Sequence, residues 1–298
     1  MAEKMPRRMR GKSGKSLELI GAAYKILAEI QPATVRAVCY RLFTSGLIPD
    51  MSKSSTNRVS KQLVYAREQG MIPWEWVVDE TREAERTPSW DNPEAFARAM
   101  QLSYRRNRWA QQPRQIEVWS EKGTVRGTLA PVLDKYGVTF RVLHGYSSAT
   151  VVNQVAYETC SMDEPLLVLY VGDWDPSGLH MSEVDLPRRL LEYGASVEIV
   201  RVALTRDHIA NRGLPSFEAS TKRQDPRWRW YVQRYGRLCW ELDALSPVVL
   251  REAVENYIVD GIDSEYWERC SQVERTERES LMEVMGSWKA LISREGRS

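Results

Sequence analysis

Between residues 115 and 204, strongly β-forming runs alternate with helical stretches, and this rhythm admits few folds. The runs fall at 115–120, 139–144, 165–172 and 196–204, with helical patterns at 124–135, 148–158 and 178–193 between them. Strands separated by helices pair in parallel through βαβ crossovers. The sequence therefore predicts an α/β domain with a parallel sheet over residues 113–215. Residues at the carboxyl ends of such strands line the crevice where ligands bind. Two acidic segments fall there. One is Ile116-Glu117-Val118-Trp119-Ser120-Glu121-Lys122-Gly123, and the other is Val171-Gly172-Asp173-Trp174-Asp175-Pro176-Ser177-Gly178. Asp-x-Asp on an extended segment points both carboxylates to the same side. Glu121, Asp173 and Asp175 together would form a hard, oxygen-rich site suited to Mg²⁺. The plainer alternative is that these acids cap the helices that follow them.

The N-terminal part has a different pattern. Leu19, Ile20, Ala23, Ile26, Leu27 and Ile30 recur at helical spacing over 16–30. A second helix follows Pro32, with Val35, Val38, Cys39 and Leu42 as its apolar stripe, and ends near Gly46. A third, from about Ser55 to Glu68, buries Val59, Leu63 and Ala66 and displays Asn57, Arg58, Lys61, Gln62 and Arg67. Alternating Trp74, Trp76 and Val78 predict a strand or wing over Met71–Asp79. Three small helices and a β-element outline a winged helix, whose third helix commonly enters the DNA major groove. Arg58 and Lys61 are thus candidate DNA contacts.

A chain of 298 residues accommodates two ordinary domains. The expected organisation is a basic disordered tail at 1–15, a winged helix at 16–80 and a connector at 81–112. The sheet domain at 113–215 and a mostly helical extension at 216–298 complete it. Asn92-Pro93 opens a connector helix with Arg105, Arg106 and Arg108 near its end. No run is long enough to span a bilayer, and Cys39, Cys160, Cys239 and Cys270 show no CxxC spacing. These features predict a soluble protein of the reducing cytoplasm, with no membrane partner. Net charge is only +2, but its distribution is uneven. Lys4, Arg7, Arg8, Arg10, Lys12 and Lys15 crowd the start, and a second basic stretch runs from Lys222 to Arg237. Within it Arg227-Trp228-Arg229-Trp230-Tyr231 interleaves cations with aromatics, a composition suited to phosphates and unstacked bases. The alternative there is ordinary packing with arginine stems laid over rings. Gly11-Lys12-Ser13-Gly14-Lys15-Ser16 is no P-loop, because Met9 stands at the required earlier glycine and no strand precedes it.

Glu121-Lys122-Gly123 followed by Gly172-Asp173-Trp174-Asp175-Pro176-Ser177-Gly178 resembles the Toprim domain of the topoisomerase VI A subunit. The meiotic double-strand-break transesterase belongs to the same group. In that family a winged helix precedes the Toprim domain and carries the nucleophile in an Arg-x-x-x-Tyr segment. Here Arg36-Ala37-Val38-Cys39-Tyr40 matches it, with Cys39 where paired tyrosines are usual. The resemblance covers roughly residues 16–80 and 113–215, and a length shorter than a full A subunit brings the chain closer to the compact, standalone Mini-A relatives. It implies Mg²⁺-dependent cleavage of double-stranded DNA through a 5′-phosphotyrosyl link. It also implies a homodimer with a shared active site, and leaves room for a separate ATP-binding B-type subunit.

The residues themselves bear on Tyr40. At ~100° per residue it lies about 150° from the centre of the apolar stripe, on an outward face shared with Arg36. An exposed phenol beside a cation suits attack on a phosphodiester. Lys122, Arg227 and Arg229 are further candidate phosphate contacts. Two other functions fit the same residues: a metal-dependent Toprim nuclease without a covalent intermediate, and a non-catalytic DNA-binding protein.

Overall fold

Helix α1 (Gly14–Ile30) starts where the Ser13 hydroxyl accepts the Ser16 N–H, and it buries Leu19, Ile20, Ala23, Leu27 and Ile30. This is the computed structural model of the chain, which describes residues 13–78, 87–143 and 149–295, with side chains described as far as residue 284. Residues 1–12 of the expected basic tail lie outside the described residues, while Gly14 and Lys15 belong to α1. A two-residue strand, β1 (Ala33–Thr34), leads into α2 (Val35–Thr44), capped by Thr34, and then α3 (Lys53–Glu68), capped by Ser52. Leu27, Ile30, Val38, Leu42, Val59 and Leu63 close one apolar core among the three helices. Each such side chain contributes about 1.5–3 kcal/mol on full burial.

The expected wing takes another form. Pro73 has no N–H, and its carbonyl accepts from Trp76, closing a 3₁₀ turn over Trp74–Trp76. Only β2 (Val77–Val78) is extended, and it pairs in parallel with β1. Residues 79–86 lie outside the described residues. Helix α4 (Pro93–Ser103) follows its Asn92 cap as the Asn-Pro signal predicts.

The sheet agrees closely with the sequence reading. Strand β3 (Ile116–Ser120), α5 (Thr124–Tyr136), β4 (Thr139–Val142), α6 (Ala149–Thr159) and β5 (Leu166–Val171) follow in order. The next helix, expected over 178–193, is divided into α7 (Pro176–His180), a π-helical turn at Met181–Asp185 and α8 (Leu186–Glu192). Pro187 explains the division, since it cannot donate to the preceding turn. Strand β6 (Val197–Ala203) completes a four-stranded parallel sheet in the order β4-β3-β5-β6. Every residue of β5 is buried, which is why its sequence is a continuous apolar run. The chain reverses its winding between β3 and β5, so the topological switch point lies between these neighbours.

Beyond the sheet come α9 (Arg206–Asn211), β7 (Phe217–Glu218), α10 (Trp228–Tyr235), β8 (Leu238–Cys239), α11 (Pro247–Asp260) and α12 (Ser264–Glu295). Strands β7 and β8 pair antiparallel. The chain forms two compact units, Met1–Thr81 with Ile116–Val259, and Arg82–Gln115 with Asp260–Ser298. In the first unit α5 accommodates β2 at Gly127, where a Cβ would stand 2.5 Å from a Val78 methyl. Arg251 of α11 donates to the carbonyls of Ile30, Pro32 and Thr128, tying the turn before α2 to α5. In the second unit Glu274, 4% exposed, accepts from Arg108 and pairs with Arg278, while Arg106 binds Glu277. Arg106 and Arg108 of the connector are therefore matched by acids of α12, while Arg105 donates to the Leu102 and Tyr104 carbonyls. Among the described residues no helix is long and apolar enough to cross a membrane.

Candidate acidic site at the sheet switch point

Ser120 and Val171 are register partners on the adjacent strands β3 and β5. Glu121 and the Asp173-Trp174-Asp175 segment therefore leave the sheet side by side at its carboxyl edge. The turn after β5 is built on two close approaches. A Cβ on Gly172 would stand 2.8 Å from the Tyr170 ring, and one on Gly178 would stand 2.5 Å from the Asp173 carbonyl oxygen. Trp174 is held by two backbone hydrogen bonds to Trp240, of 2.9 and 3.0 Å.

The acids differ in their partners. Asp175, 2% exposed, caps α7: its Oδ1 accepts from the Gly178 N–H at 2.8 Å and the Ser177 hydroxyl at 3.1 Å. Its Oδ2 accepts from Lys222 at 2.6 Å. Burial pushes this carboxyl up, but Lys222 and the cap donors outweigh it and hold it below the usual range. The helix-capping alternative thus applies to Asp175 on one oxygen. It does not apply to Glu121, because the N-cap of α5 is Gly123 and no side chain caps that helix. Glu121 accepts from the Tyr170 hydroxyl at 3.3 Å. Burial raises its pKa first, then the charges of Asp175 and Asp173. Asp173 accepts from Lys122 at 2.9 Å and from the Leu242 N–H at 2.8 Å, yet burial still leaves its carboxyl raised. Among the described residues no three His, Cys, Asp or Glu side chains stand together as a ready metal cage. Lys122 and Lys222 supply the positive charge next to the Asp-x-Asp pair instead.

Sequence reasoning passed over Arg201, which organises this turn. Its guanidinium donates to the carbonyls of Gly172, Asp173, Gly178 and Leu204 and to the Ser182 hydroxyl. It also packs 4.9 Å from the Tyr170 ring centre. A charged residue inside the apolar run of β6 was the available signal.

Arg36 and Tyr40 are linked to the same edge through residues 241–243. Arg36 Nε and Nη2 both donate to the Glu241 carboxylate. Asp243 accepts from Thr34 at 2.5 Å and from Lys122 at 3.2 Å, and Lys122 reaches Asp173. Tyr40 stands off the three-helix core, as the helical wheel requires, but it is not exposed. The 3₁₀ turn at Leu242–Ala244 packs against α2, and Tyr40 is only 5% accessible, with Arg36 over its ring at 5.8 Å. Burial pushes the phenol up, Glu241 adds to the shift, and Arg36 opposes it.

The candidate DNA contacts fall in separate places. Arg58 and Lys61 are exposed on α3. Arg229 is exposed on α10, whereas Arg227 is half-buried and pairs with Asp225 at 3.2 Å. Trp230 packs edge-on to His180 and Tyr235, so this aromatic run contributes to packing. All four cysteines are free thiols. No protein-family model matches the chain, and no curated protein matches it.

Proposed function

We propose that this chain cleaves double-stranded DNA by Mg²⁺-dependent transesterification through Tyr40, as a homodimer of the topoisomerase VI A type with a winged-helix and a Toprim domain. One observation carries the reading. Asp173 of the switch-point turn and the Arg36–Tyr40 pair meet at one short segment: Asp243 shares Lys122 with Asp173 and accepts from Thr34, while Glu241, two residues before it, holds Arg36.

The donor set fits magnesium. Glu121, Asp173 and Asp175 are hard carboxylate ligands, and the first two carry charge that burial and like-charged neighbours disfavour. A divalent cation would relieve that repulsion, with Lys122 and Lys222 turning away. When bound, the ion would supply Lewis-acid polarisation of the scissile phosphate. The chain's own residues would do the rest. Exposed α3, with Arg58 and Lys61, would bind the duplex through its phosphates. Arg36 would stabilise the equatorial phosphate oxygens. Tyr40 would lose its phenolic proton to solvent and form the new Oη–P bond. The P–O3′ bond would break, leaving a 5′-phosphotyrosyl link and a 3′-hydroxyl that takes its proton from water. Arg201 would hold the Asp-x-Asp turn in place. The resemblance leaves room for an ATP-binding B-type partner, which strand passage would need.

The burial of Tyr40 favours a second reading, a Toprim nuclease in which water attacks and Tyr40 is structural. Supercoiled plasmid incubated with Mg²⁺ and electrophoresed with and without prior protease separates the two. Transesterification predicts DNA whose mobility changes on protease treatment. Hydrolysis predicts nicked or linear DNA indifferent to protease. Unchanged plasmid would contradict both.

A further inference from the structure

Arg36 and Lys122 are two of the cations that the proposed reaction would offer to phosphates, and both are matched by acids of one short segment. Arg36 presents Nε and Nη2 to the two oxygens of Glu241, a fork geometry that suits a carboxylate and a phosphate equally. Asp243 receives Lys122 Nζ at 3.2 Å and the Thr34 hydroxyl at 2.5 Å. Thr34 is the cap of α2, so Asp243 lies at a helix N-terminus, where the dipole favours anions. From this geometry we infer that Glu241–Asp243 is an internal phosphate mimic, filling two phosphodiester subsites until DNA displaces it. The inference rests on the DNA-cleaving reading and deepens it by assigning the subsites.

Three features support displacement rather than a permanent tie. Tyr40 is 5% accessible with Glu241 beside it, so a phenol that attacks phosphorus needs its surroundings to open. The segment borders a small cleft lined by Thr34, Ala37, Leu242, Asp243 and Leu245, with space for about one water. The Arg36–Glu241 pair is partly solvated, with 44% and 21% of the side chains exposed, which makes exchange for another anion inexpensive. The segment also reports on the acidic site. Its Leu242 N–H is bonded to Asp173, so its departure removes one partner from Asp173 and one from Lys122, which still pair with each other.

A permanent tie and a mimic predict opposite signs. Glu241→Gln and Asp243→Asn are tested in the full chain against a fluorescein-labelled DNA duplex, in EDTA, by anisotropy across a salt series. Asp134→Asn, an exposed acid paired with Arg126, controls for the change in net charge. The mimic predicts roughly three- to tenfold tighter binding for each site variant. The logarithmic salt slope should steepen by about 0.9 for each phosphate admitted. The control should shift affinity by less than about twofold. Binding that is unchanged, weaker or no tighter than the control overturns the inference while leaving the DNA reading intact. No binding by the unaltered chain or any variant overturns both. Hydrogen exchange on the unaltered chain removes any dependence on variant folding: amides of Leu242 and Leu245 should exchange faster when duplex is added. Unchanged or slower exchange contradicts the mimic.

Discussion

Replacing Gly178 with alanine should disrupt the acidic turn more than any other single methyl addition there. The new Cβ would lie 2.5 Å from the Asp173 carbonyl oxygen, and backbone cannot yield as a flexible side chain can. The same residue donates its N–H to Asp175 at 2.8 Å and its carbonyl accepts from Arg201 at 2.7 Å, so any shift loosens the cap and the clamp together. Overpacking of this kind costs about 1–3 kcal/mol. Weakening the cap adds about 1 kcal/mol. The sum, about 2–4 kcal/mol, lowers the melting temperature of a unit this size by roughly 5–15 °C. Thermal melts by circular dichroism in EDTA measure it. Gly21→Ala is the matched control, because Gly21 is exposed in α1 with nothing within 4 Å of a new Cβ. Helix propensity there favours alanine by about 1 kcal/mol and should raise the melting temperature by about 2–4 °C. If Gly178→Ala melted like the unaltered chain, the close packing of the turn would be refuted.

Other outcomes follow from charge. Glu121 has its pKa raised by burial and by Asp175 and Asp173, so its stabilising contribution is present only in acid and is lost as pH rises through that value. Glu121→Gln should therefore raise the melting temperature at neutral pH in EDTA, with the gain vanishing in acid. It should also remove any stabilisation by added Mg²⁺. Asp175 is shifted the other way, so it stabilises above ~4 and that contribution fades as pH falls. Asp175→Asn should accordingly destabilise at neutral pH and converge with the unaltered chain in acid melts. Arg201→Gln strands the carbonyls of Gly172, Asp173 and Gly178 and should cost about 3 kcal/mol in urea unfolding. Arg58→Ala and Lys61→Ala should each reduce the salt slope of duplex binding by about 0.9, measured by anisotropy.

The parts legible from sequence are those whose physical cause is local. The four strands were visible because burial on both faces makes β5 wholly apolar, and the Asn92 cap before Pro93 marks a helix start. Placement of the acids at strand ends was legible for the same reason. Their meeting at one edge was expected as well, and it is β5 pairing with β3 rather than with β4 that brings the two segments side by side. The helical wheel separated Tyr40 from the α2 stripe but could not see what covers its other side. The Arg36–Glu241 contact spans 205 positions and has no periodic signature. Only Val77–Val78 of the expected Met71–Asp79 β-element is extended, since Pro73 turns the first part of the alternating pattern into a 3₁₀ turn. Lys222 was visible only as one charge in a basic stretch. Its pairing with Asp175 depends on the fold of residues 217–239.

The central claim is that Tyr40 becomes covalently attached to DNA in a reaction supported by Glu121, Asp173 and Asp175. Duplex labelled at its 3′ ends, incubated with the protein and Mg²⁺ and run on a denaturing protein gel, tests this directly. The account predicts label migrating with the protein, abolished by EDTA, by Asp173→Ala and by Tyr40→Phe. Covalent label that survived Tyr40→Phe, or free cleaved DNA with no protein-linked species, would contradict it.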